Sequence, residues 1–202
     1  MGLDRARTRV ILCDMRILLS LTLALVMSVV QSAGAACPDP ADVKEELQAL
    51  IAQAQQAKRF SEGQRLSGTM WEILLRAPDE TAQAALDAGM RRREVADYLG
   101  ALEHFDRLVA YCPTYAEGYN QRAFVNFLQG AHEEALVDLD VALDLQPLHV
   151  AAQAGRALTL MNLGRIAEAR EQMLIAVGNN PWLSERALLS DGAPLAVPGK
   201  DL

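Results

Sequence analysis

A spacing of 34 residues recurs through the second half of the chain. Prolines, alanines and a further set of small residues keep this spacing without insertion or deletion across residues 82–183. The three sets are Pro113, Pro147 and Pro181; Ala101, Ala135 and Ala169; and Gly89, Ala123 and Ala157. A constant period of this length is typical of stacked supersecondary units. Such arrays commonly bind other chains along an extended surface, so the sequence favours a protein-binding molecule over an enzyme.

Each unit has the pattern of two helices joined by a turn. In the middle unit Gly130 separates the helices, since glycine adopts the positive φ that a helix end requires. Apolar residues recur at helical spacing within residues 135–143 and predict an amphipathic second helix. Pro147 ends this helix, because the residue before a proline is displaced from helical geometry. Gly164 repeats the turn in the third unit, whereas the first unit has Ala96 there and its turn is less clearly defined.

These units resemble tetratricopeptide repeats. In the middle unit the residues that match the family pattern are Tyr119, Ala123, Gly130, Ala135, Leu139, Ala142 and Pro147. In the third unit they are Ala157, Leu160, Gly164, Ala169, Met173, Ala176 and Pro181. In the first unit they are Gly89, Ala101, Phe105 and Pro113. The sequence departs from the pattern at Arg122, Asn126 and Gln153, where the family usually has leucine, tyrosine and an aromatic residue.

The resemblance implies an all-α fold, a right-handed α-solenoid of stacked antiparallel helix pairs. The three units are residues 82–115, 116–149 and 150–183. Residues 37–81 have the pattern of a further helix pair outside the period, which we expect to cover the exposed end of the stack. Residues 184–202 are expected to form a short capping helix and a loose tail, so that truncation after about residue 191 leaves stability unchanged.

The beginning of the chain has the composition of a secretory leader. Residues 17–30 are apolar and uncharged, four arginines precede them, and small residues follow up to Ala36. A membrane span needs about 20 apolar residues, so a cleaved leader over residues 1–36 is favoured over a retained membrane anchor. The predicted location is therefore periplasmic or secreted, without a membrane span in the mature chain. The true start could be Met1 or Met15.

Two cysteines, Cys37 and Cys112, remain after such a leader. Export permits a disulfide between them. However, we expect Cys37 to lie in a flexible start and Cys112 in the last turn of a helix, so the sequence favours two unpaired cysteines or one partly buried structural thiol. Lipid attachment to Cys37 is a further alternative, although Gly34 stands where the usual attachment pattern has leucine. The two cysteines do not show the spacing of metal ligands.

No arrangement of residues in the sequence predicts catalysis. His104, His132 and His149 lie in separate units without Cys, Asp or Glu at ligand spacing, and we interpret them as surface or packing residues. Nucleophile motifs and glycine-rich phosphate loops are absent from the sequence. The run of Asp138, Asp140 and Asp144 is interpreted as a solvated helix face. We therefore expect a protein that is not an enzyme and that has no cofactor or metal.

The charge of the chain limits its partners. The whole chain has a net charge of −7, and residues 37–202 contain 15 Lys and Arg against 24 Asp and Glu, which is a net charge of −9. An acidic chain is a poor binder of nucleic acid, which requires a positive surface. The one basic cluster is residues 91–93, at a predicted helix end. We interpret it as favourable to the helix dipole, with contact to an acidic partner as the alternative.

The family register implies a groove lined by the first helix of each repeat. The candidate partner-binding residues are Leu86, Met90, Asn120, Phe124, Phe127, Leu128, Leu158 and Met161. Their apolar character favours a hydrophobic peptide or an amphipathic helix. These positions do not match the Lys, Asn and Arg set with which some family members hold a terminal carboxylate. The alternative is that part of this set packs between adjacent repeats.

Two functions follow from these patterns. The favoured one is an exported adaptor that binds a peptide or helix of an unidentified partner protein without catalysing a reaction. The alternative is a constitutive structural subunit of an envelope or membrane complex, anchored by an uncleaved leader or by lipid on Cys37. The oligomeric state is left open by the sequence.

The alanine repeated at the helix crossings generates a first prediction. Two helices of a pair approach to about 8–10 Å, so a large side chain at the crossing would hold them apart. Ala135→Leu is therefore expected to lower the free energy of unfolding by about 1–3 kcal/mol. Thermal unfolding of the variant measures this, and a wild-type melting temperature would contradict the assignment.

Overall fold

A computed structural model describes residues 36–196 of the chain. These residues form eight α-helices and one 3-10 helix and no strand, which confirms the predicted all-α fold. The helices are α1 Lys44–Gln56, α2 Phe60–Leu74, α3 Glu80–Glu94, α4 Tyr98–Tyr111, α5 Ala116–Leu128, α6 His132–Leu145, α7 Val150–Asn162, α8 Ile166–Asn179 and the 3-10 helix Ser184–Leu189. The apolar segment predicted as a leader lies outside the described residues.

Three helix pairs stack in chain order. Helix α3 packs against α4, α5 against α6 and α7 against α8, while α4 packs on α5 and α6 on α7. The first helices of the pairs also contact one another, α3 with α5 and α5 with α7. These first helices therefore form one continuous face of the stack, which we call the α3–α5–α7 face.

The small residues of the repeat lie where helices approach most closely. Ala101, Ala135 and Ala169 are completely buried. At Gly89, an added Cβ would lie 2.4 Å from Cε1 of Phe105, far inside van der Waals contact. The aromatic ring of α4 thus packs directly on the backbone of α3, which only glycine permits here.

All three turns within the helix pairs have the same backbone conformation. Gly130 and Gly164 have φ values of 79° and 74°, and Ala96 has a φ of 57°. In the first turn the Asp97 N–H donates to the Arg92 carbonyl at 2.9 Å, and the other two turns contain the equivalent bond. The first turn, which the sequence defined poorly, is therefore formed in full with alanine in the left-handed region.

The N-terminal pair packs along the connections between the repeat units. Helices α1 and α2 share one buried cluster with Val150, and Leu148, Trp182 and Leu183 pack against that cluster. The Tyr115 hydroxyl donates to the Leu74 carbonyl at 2.9 Å. These residues follow the repeated prolines, so the pair lies beside three successive connections. The expectation that it covers the end of the stack is corrected, because its apolar faces are buried against the side of the stack.

Trp182 fastens the N-terminal pair to the last connection. Its indole Nε1–H donates to the Ala54 carbonyl at 2.8 Å, and its own carbonyl accepts from Gln64 Nε2 at 2.9 Å. The indole lies against the backbone of Gly63, where an added Cβ would be 2.1 Å from Cγ of the ring. Nearby, Asn180 Nδ2 donates to the Ser67 hydroxyl at 2.8 Å. The two ends of the described chain are thus joined by specific contacts.

Cys37 and Cys112 form a disulfide, with their Cα atoms 5.1 Å apart. The prediction of unpaired thiols is therefore wrong. Cys112 is fully buried at the end of α4, and Cys37 packs against the same buried cluster. The segment before α1 returns to the first repeat unit, a contact that sequence spacing does not reveal across 75 residues.

The segment after the 3-10 helix is part of the core. Leu195 is completely buried and belongs to the cluster of Met173 and Leu189. Its N–H donates to the Leu188 carbonyl at 2.9 Å, and Arg170 Nε donates to its carbonyl at 3.2 Å. The expectation that the chain is loose after about residue 191 is therefore wrong as far as residue 196. Residues 197–202 lie outside the described part.

The left-handed alanine generates a prediction about the first turn. Ala96→Gly is expected to raise the free energy of unfolding by about 0.5–1 kcal/mol. Glycine adopts positive φ without the strain that alanine has there, and this gain exceeds the loss that comes from the greater conformational entropy of glycine in the unfolded chain. Denaturant unfolding measures the change. Gly130→Ala, at the equivalent turn with open space around it, should lower stability by about 1 kcal/mol. A destabilised Ala96→Gly variant would contradict this account.

The disulfide generates a third prediction about stability. Cys37→Ser is expected to lower the free energy of unfolding by about 2–4 kcal/mol, because the bond no longer restricts a long loop of the unfolded chain. Reduction of the wild-type protein with dithiothreitol should lower its melting temperature similarly. The variant is the control, since reductant should not change its melting temperature. An unchanged wild-type melt under reduction would disprove the stabilising role.

Candidate binding groove

A cavity of about 300 Å³ lies on the α3–α5–α7 face. Its floor is formed mainly by α5 and α7, and α3, α2 and the 3-10 helix region supply its remaining walls. The residues that line it are Trp71, Arg93, Asn120, Gln121, Ala123, Phe124, Phe127, Leu139, Ala151, Ala154, Gly155, Leu158, Thr159, Leu183 and Glu185. Most of this lining is apolar, with a few polar groups, as is common in ligand-binding clefts. We call this space the groove cavity.

Half of the candidate partner-binding residues meet in the groove cavity. They are Asn120, Phe124, Phe127 and Leu158. Phe124 is 45% exposed, a large exposure for an aromatic side chain. These residues share a wall because α5 and α7 are adjacent first helices of neighbouring repeats.

The other four candidates lie elsewhere. Leu86 is completely buried in the core cluster of the first pair, so it is not accessible to a partner, and its assignment to the groove is corrected. Met90 packs on the same cluster and Met161 packs on the cluster of the third pair. Leu128 is exposed but does not line the cavity. Part of the candidate partner-binding set therefore packs inside the stack, as the alternative interpretation of these residues expected.

Sequence reasoning missed three residues that close the cavity. Trp71 comes from α2, and Leu183 and Glu185 come from the segment after α8. They reach the cavity only because the N-terminal pair lies beside the stack and contacts its last connection. The sequence contains no periodic signal for them, because Trp71 and Glu185 lie outside the repeat units and Leu183 is the last residue of the third unit.

Arg93 is the one cation among the residues lining the groove cavity. Its guanidinium donates to Gln121 Oε1, and its Cζ lies 4.9 Å from the centroid of the Phe124 ring. Burial lowers the pKa of Arg93, because the charged form loses hydration. Among the described residues no carboxylate forms an ion pair with it. The half-buried guanidinium thus lies close enough to the carboxylates of Glu94 and Glu117 for their charges to offset part of this lowering of its pKa, but it is in direct contact with neither.

A buried polar network lies next to the cavity. The Glu117 carboxylate accepts from His149 Nε2 at 2.6 Å, from Asn120 Nδ2 at 3.1 Å and from Gln121 Nε2. His149 Nδ1 accepts from the Ala152 N–H at 3.2 Å, which assigns the ring proton to Nε2. These hydrogen bonds fix the orientation of the Asn120 and Gln121 amides, which form part of the polar lining of the cavity.

Arg122, one of the departures from the family pattern, joins two helix pairs. Its Nη2 and Nε lie 2.6 Å and 2.8 Å from the carboxylate of Asp138, and its Nη1 lies 2.9 Å from Asp106 Oδ1. Hydrogen bonding to Asp138 raises the pKa of Arg122. Asp138 is 4% exposed, so its assignment to a solvated face is wrong.

The arginine contact recurs one repeat later. Arg156 bonds to Asp140 at 2.7 Å and to Gln172 at 3.1 Å. Both Arg122 and Arg156, and both Asp106 and Asp140, are 34 residues apart. The sequence therefore contained a signal for these bridges, because charged residues kept the same period as the small ones.

Neither a cluster of metal ligands nor a membrane-spanning helix occurs among the described residues. Within residues 36–196 no group of three or more His, Cys, Asp and Glu could hold a metal ion. Among the helices described, none has the length and apolar character to cross a membrane. The fold and the cavity define a helical repeat protein with a concave site on its first helices.

Comparisons with known proteins agree with this class. No family model matches the chain. The chain is 38% identical over 64 residues to a TPR repeat-containing protein of Rhizobium etli, which is 32% of this chain and 31% of the relative. It is 38% identical over 66 residues to the tetratricopeptide repeat protein 36 homolog of Nematostella vectensis, 33% of this chain and 36% of the relative. The chain thus spans about a third of the length of the curated relatives it matches.

Two solved structures align with parts of the chain. The TPR2B-domain:pHsp70-complex of yeast Sti1 aligns with a TM-score of 0.50 and 21% identity, over 55% of this chain and 88% of that chain. The MamA protein aligns with a TM-score of 0.46 and 17% identity, over 77% of this chain and 83% of that chain. The resemblance to tetratricopeptide repeats is confirmed by the names of the curated relatives and by the fold of the first structure.

Proposed function

We propose that this chain is an exported adaptor that binds a peptide or helix of a partner protein in the groove cavity. The observation that supports this most directly is Phe124, an aromatic side chain that stays 45% exposed at an otherwise preformed apolar wall. A large apolar side chain left open in a concave site is characteristic of a recognition surface. The proposed activity is binding alone, without catalysis.

Relatives of this fold support a protein as the ligand. The aligned TPR2B domain of yeast Sti1 was solved as a complex with pHsp70. In the present chain the α3–α5–α7 face offers the groove cavity to such a ligand. The negative net charge of the chain further favours a protein partner over nucleic acid.

The disulfide supports export. Stable disulfides form and persist in oxidising compartments such as the bacterial periplasm or the extracellular space. The Cys37 sulfur is bonded to Cys112, so it is not free to receive a lipid. This argues against a lipid anchor at that cysteine, so the anchored form of the alternative function depends on an uncleaved leader.

Crosslinking of the protein in its native compartment, followed by identification of the bound chains, tests this proposal. Phe124→Ser is expected to abolish capture of the specific partner while its melting temperature stays close to that of wild type. Val137→Ser is the matched control, since Val137 is 64% exposed on α6 and does not line the cavity. Undiminished capture by Phe124→Ser, or a collapsed melt, would reject the groove as the binding site.

A further inference from the structure

The groove cavity has a charge at each end of an apolar centre. Arg93 belongs to α3, the first helix of the face, and Glu185 follows α8, the last helix of the stack. Because α5 lies between α3 and α7, the two charges are at opposite ends of the cavity along the stack. Phe124, Phe127 and Leu158 lie between them on the central helices.

Neither charge forms a direct ion pair within the described residues. Arg93 donates to the neutral amide of Gln121 and lies over the face of the Phe124 ring. Glu185 accepts from the Ser184 hydroxyl at 3.0 Å and forms no ion pair within residues 36–196. Other charged residues near the repeat interfaces, such as Arg122 and Arg156, do have carboxylate partners. The two cavity charges are thus the ones available to a ligand.

The guanidinium is oriented before any ligand binds. Gln121 holds one of its nitrogens, and Gln121 is itself held by the Glu117 carboxylate. The ring of Phe124 supports the plane of the guanidinium from one side. An arginine whose rotamer is already fixed loses little entropy when it pairs with a carboxylate.

From this arrangement we infer the chemistry of the partner, and the inference rests on the proposed function of the groove. The bound segment presents one large apolar side chain to the aromatic centre, a side-chain carboxylate to Arg93 and a basic side chain to Glu185. A single cation at one end and a carboxylate at the other do not suit a segment with several negative charges. The acidic net charge of the whole chain disfavours such a segment in the same way.

The size of the cavity agrees with a single anchoring side chain. At about 300 Å³ it lies at the lower limit of the volumes typical of ligand sites. It accommodates one aromatic or large aliphatic side chain together with the ends of its charged neighbours. Electrostatic complementarity at the two ends then fixes the direction of the partner segment across the stack.

A displayed library of random dodecapeptides tests the inference on the full chain. Wild type is expected to enrich peptides with a large apolar residue that has Asp or Glu on one side and Lys or Arg on the other. Arg93→Glu is expected to enrich a basic residue in place of the acidic one. The control is Arg91→Glu, since Arg91 is exposed on the same helix and does not line the cavity. Identical enrichment by wild type and Arg93→Glu would overturn the inference.

Affinities of an enriched peptide provide a second measurement. Arg93→Gln should weaken binding at least about tenfold, because the peptide carboxylate loses its charged partner. Arg93→Lys should retain part of the affinity, because it keeps the positive charge. If thermal unfolding shows that Arg93→Glu or Arg93→Gln does not fold, Arg93→Lys is measured in its place. The peptide is made with an amidated and with a free C terminus. Equal affinity of the two forms supports a side-chain carboxylate, whereas a requirement for the free terminus contradicts it.

The outcomes separate the inference from the function on which it rests. Apolar peptides that need Phe124 but show no charged residues would reject the charge pattern and leave the groove function intact. Enrichment of no peptide that depends on Phe124 would reject both.

Discussion

The close approach of neighbouring helices is the constraint on which this structure depends. Phe105 packs on the backbone of Gly89, and the equivalent small residues recur in each later repeat. Contact at this distance leaves no room for a larger side chain, so each pair is held at a fixed separation. Because the pairs are similar, their first helices align as one face. The groove cavity is a consequence of this alignment, since its floor consists of two of those first helices.

Buried polar groups then connect the stacking of the repeats to the surface of the groove. Glu117 at the start of α5 bonds to His149 beside α7, and through Gln121 it reaches Arg93 of α3. One network therefore spans three successive first helices. Buried polar atoms of this kind are costly when a partner is lost, so the network favours a single register between repeats. The same bonds orient Asn120 and the Arg93 guanidinium at the cavity. A change in the buried network would therefore also change the groups that line the cavity.

Periodic features of the fold could be predicted from the sequence, and contacts between unlike segments could not. The helices, their turns and the crossings at Ala101, Ala135 and Ala169 follow from local patterns that recur at one spacing. The same 34-residue register predicted four residues that line the groove cavity. It also contained the salt bridges of Arg122 and Arg156, because these arginines are one repeat apart. Trp71, Glu185 and the disulfide had no such signal. They depend on where the N-terminal pair lies, which is decided by tertiary packing between segments far apart in the chain.

The position of the N-terminal pair gives the groove its rigidity. A solenoid of this length can open or close along its axis when only neighbouring units contact one another. Here Trp182 bonds across to Ala54, while the disulfide at Cys37 fastens the other side of the same segment to α4. The pair therefore links the first and last units from the side and opposes such motion. A groove that is formed before the partner arrives requires less ordering on binding. In the proposed function, the charges and the exposed aromatic side chain of a preformed groove are therefore what discriminates among partner segments.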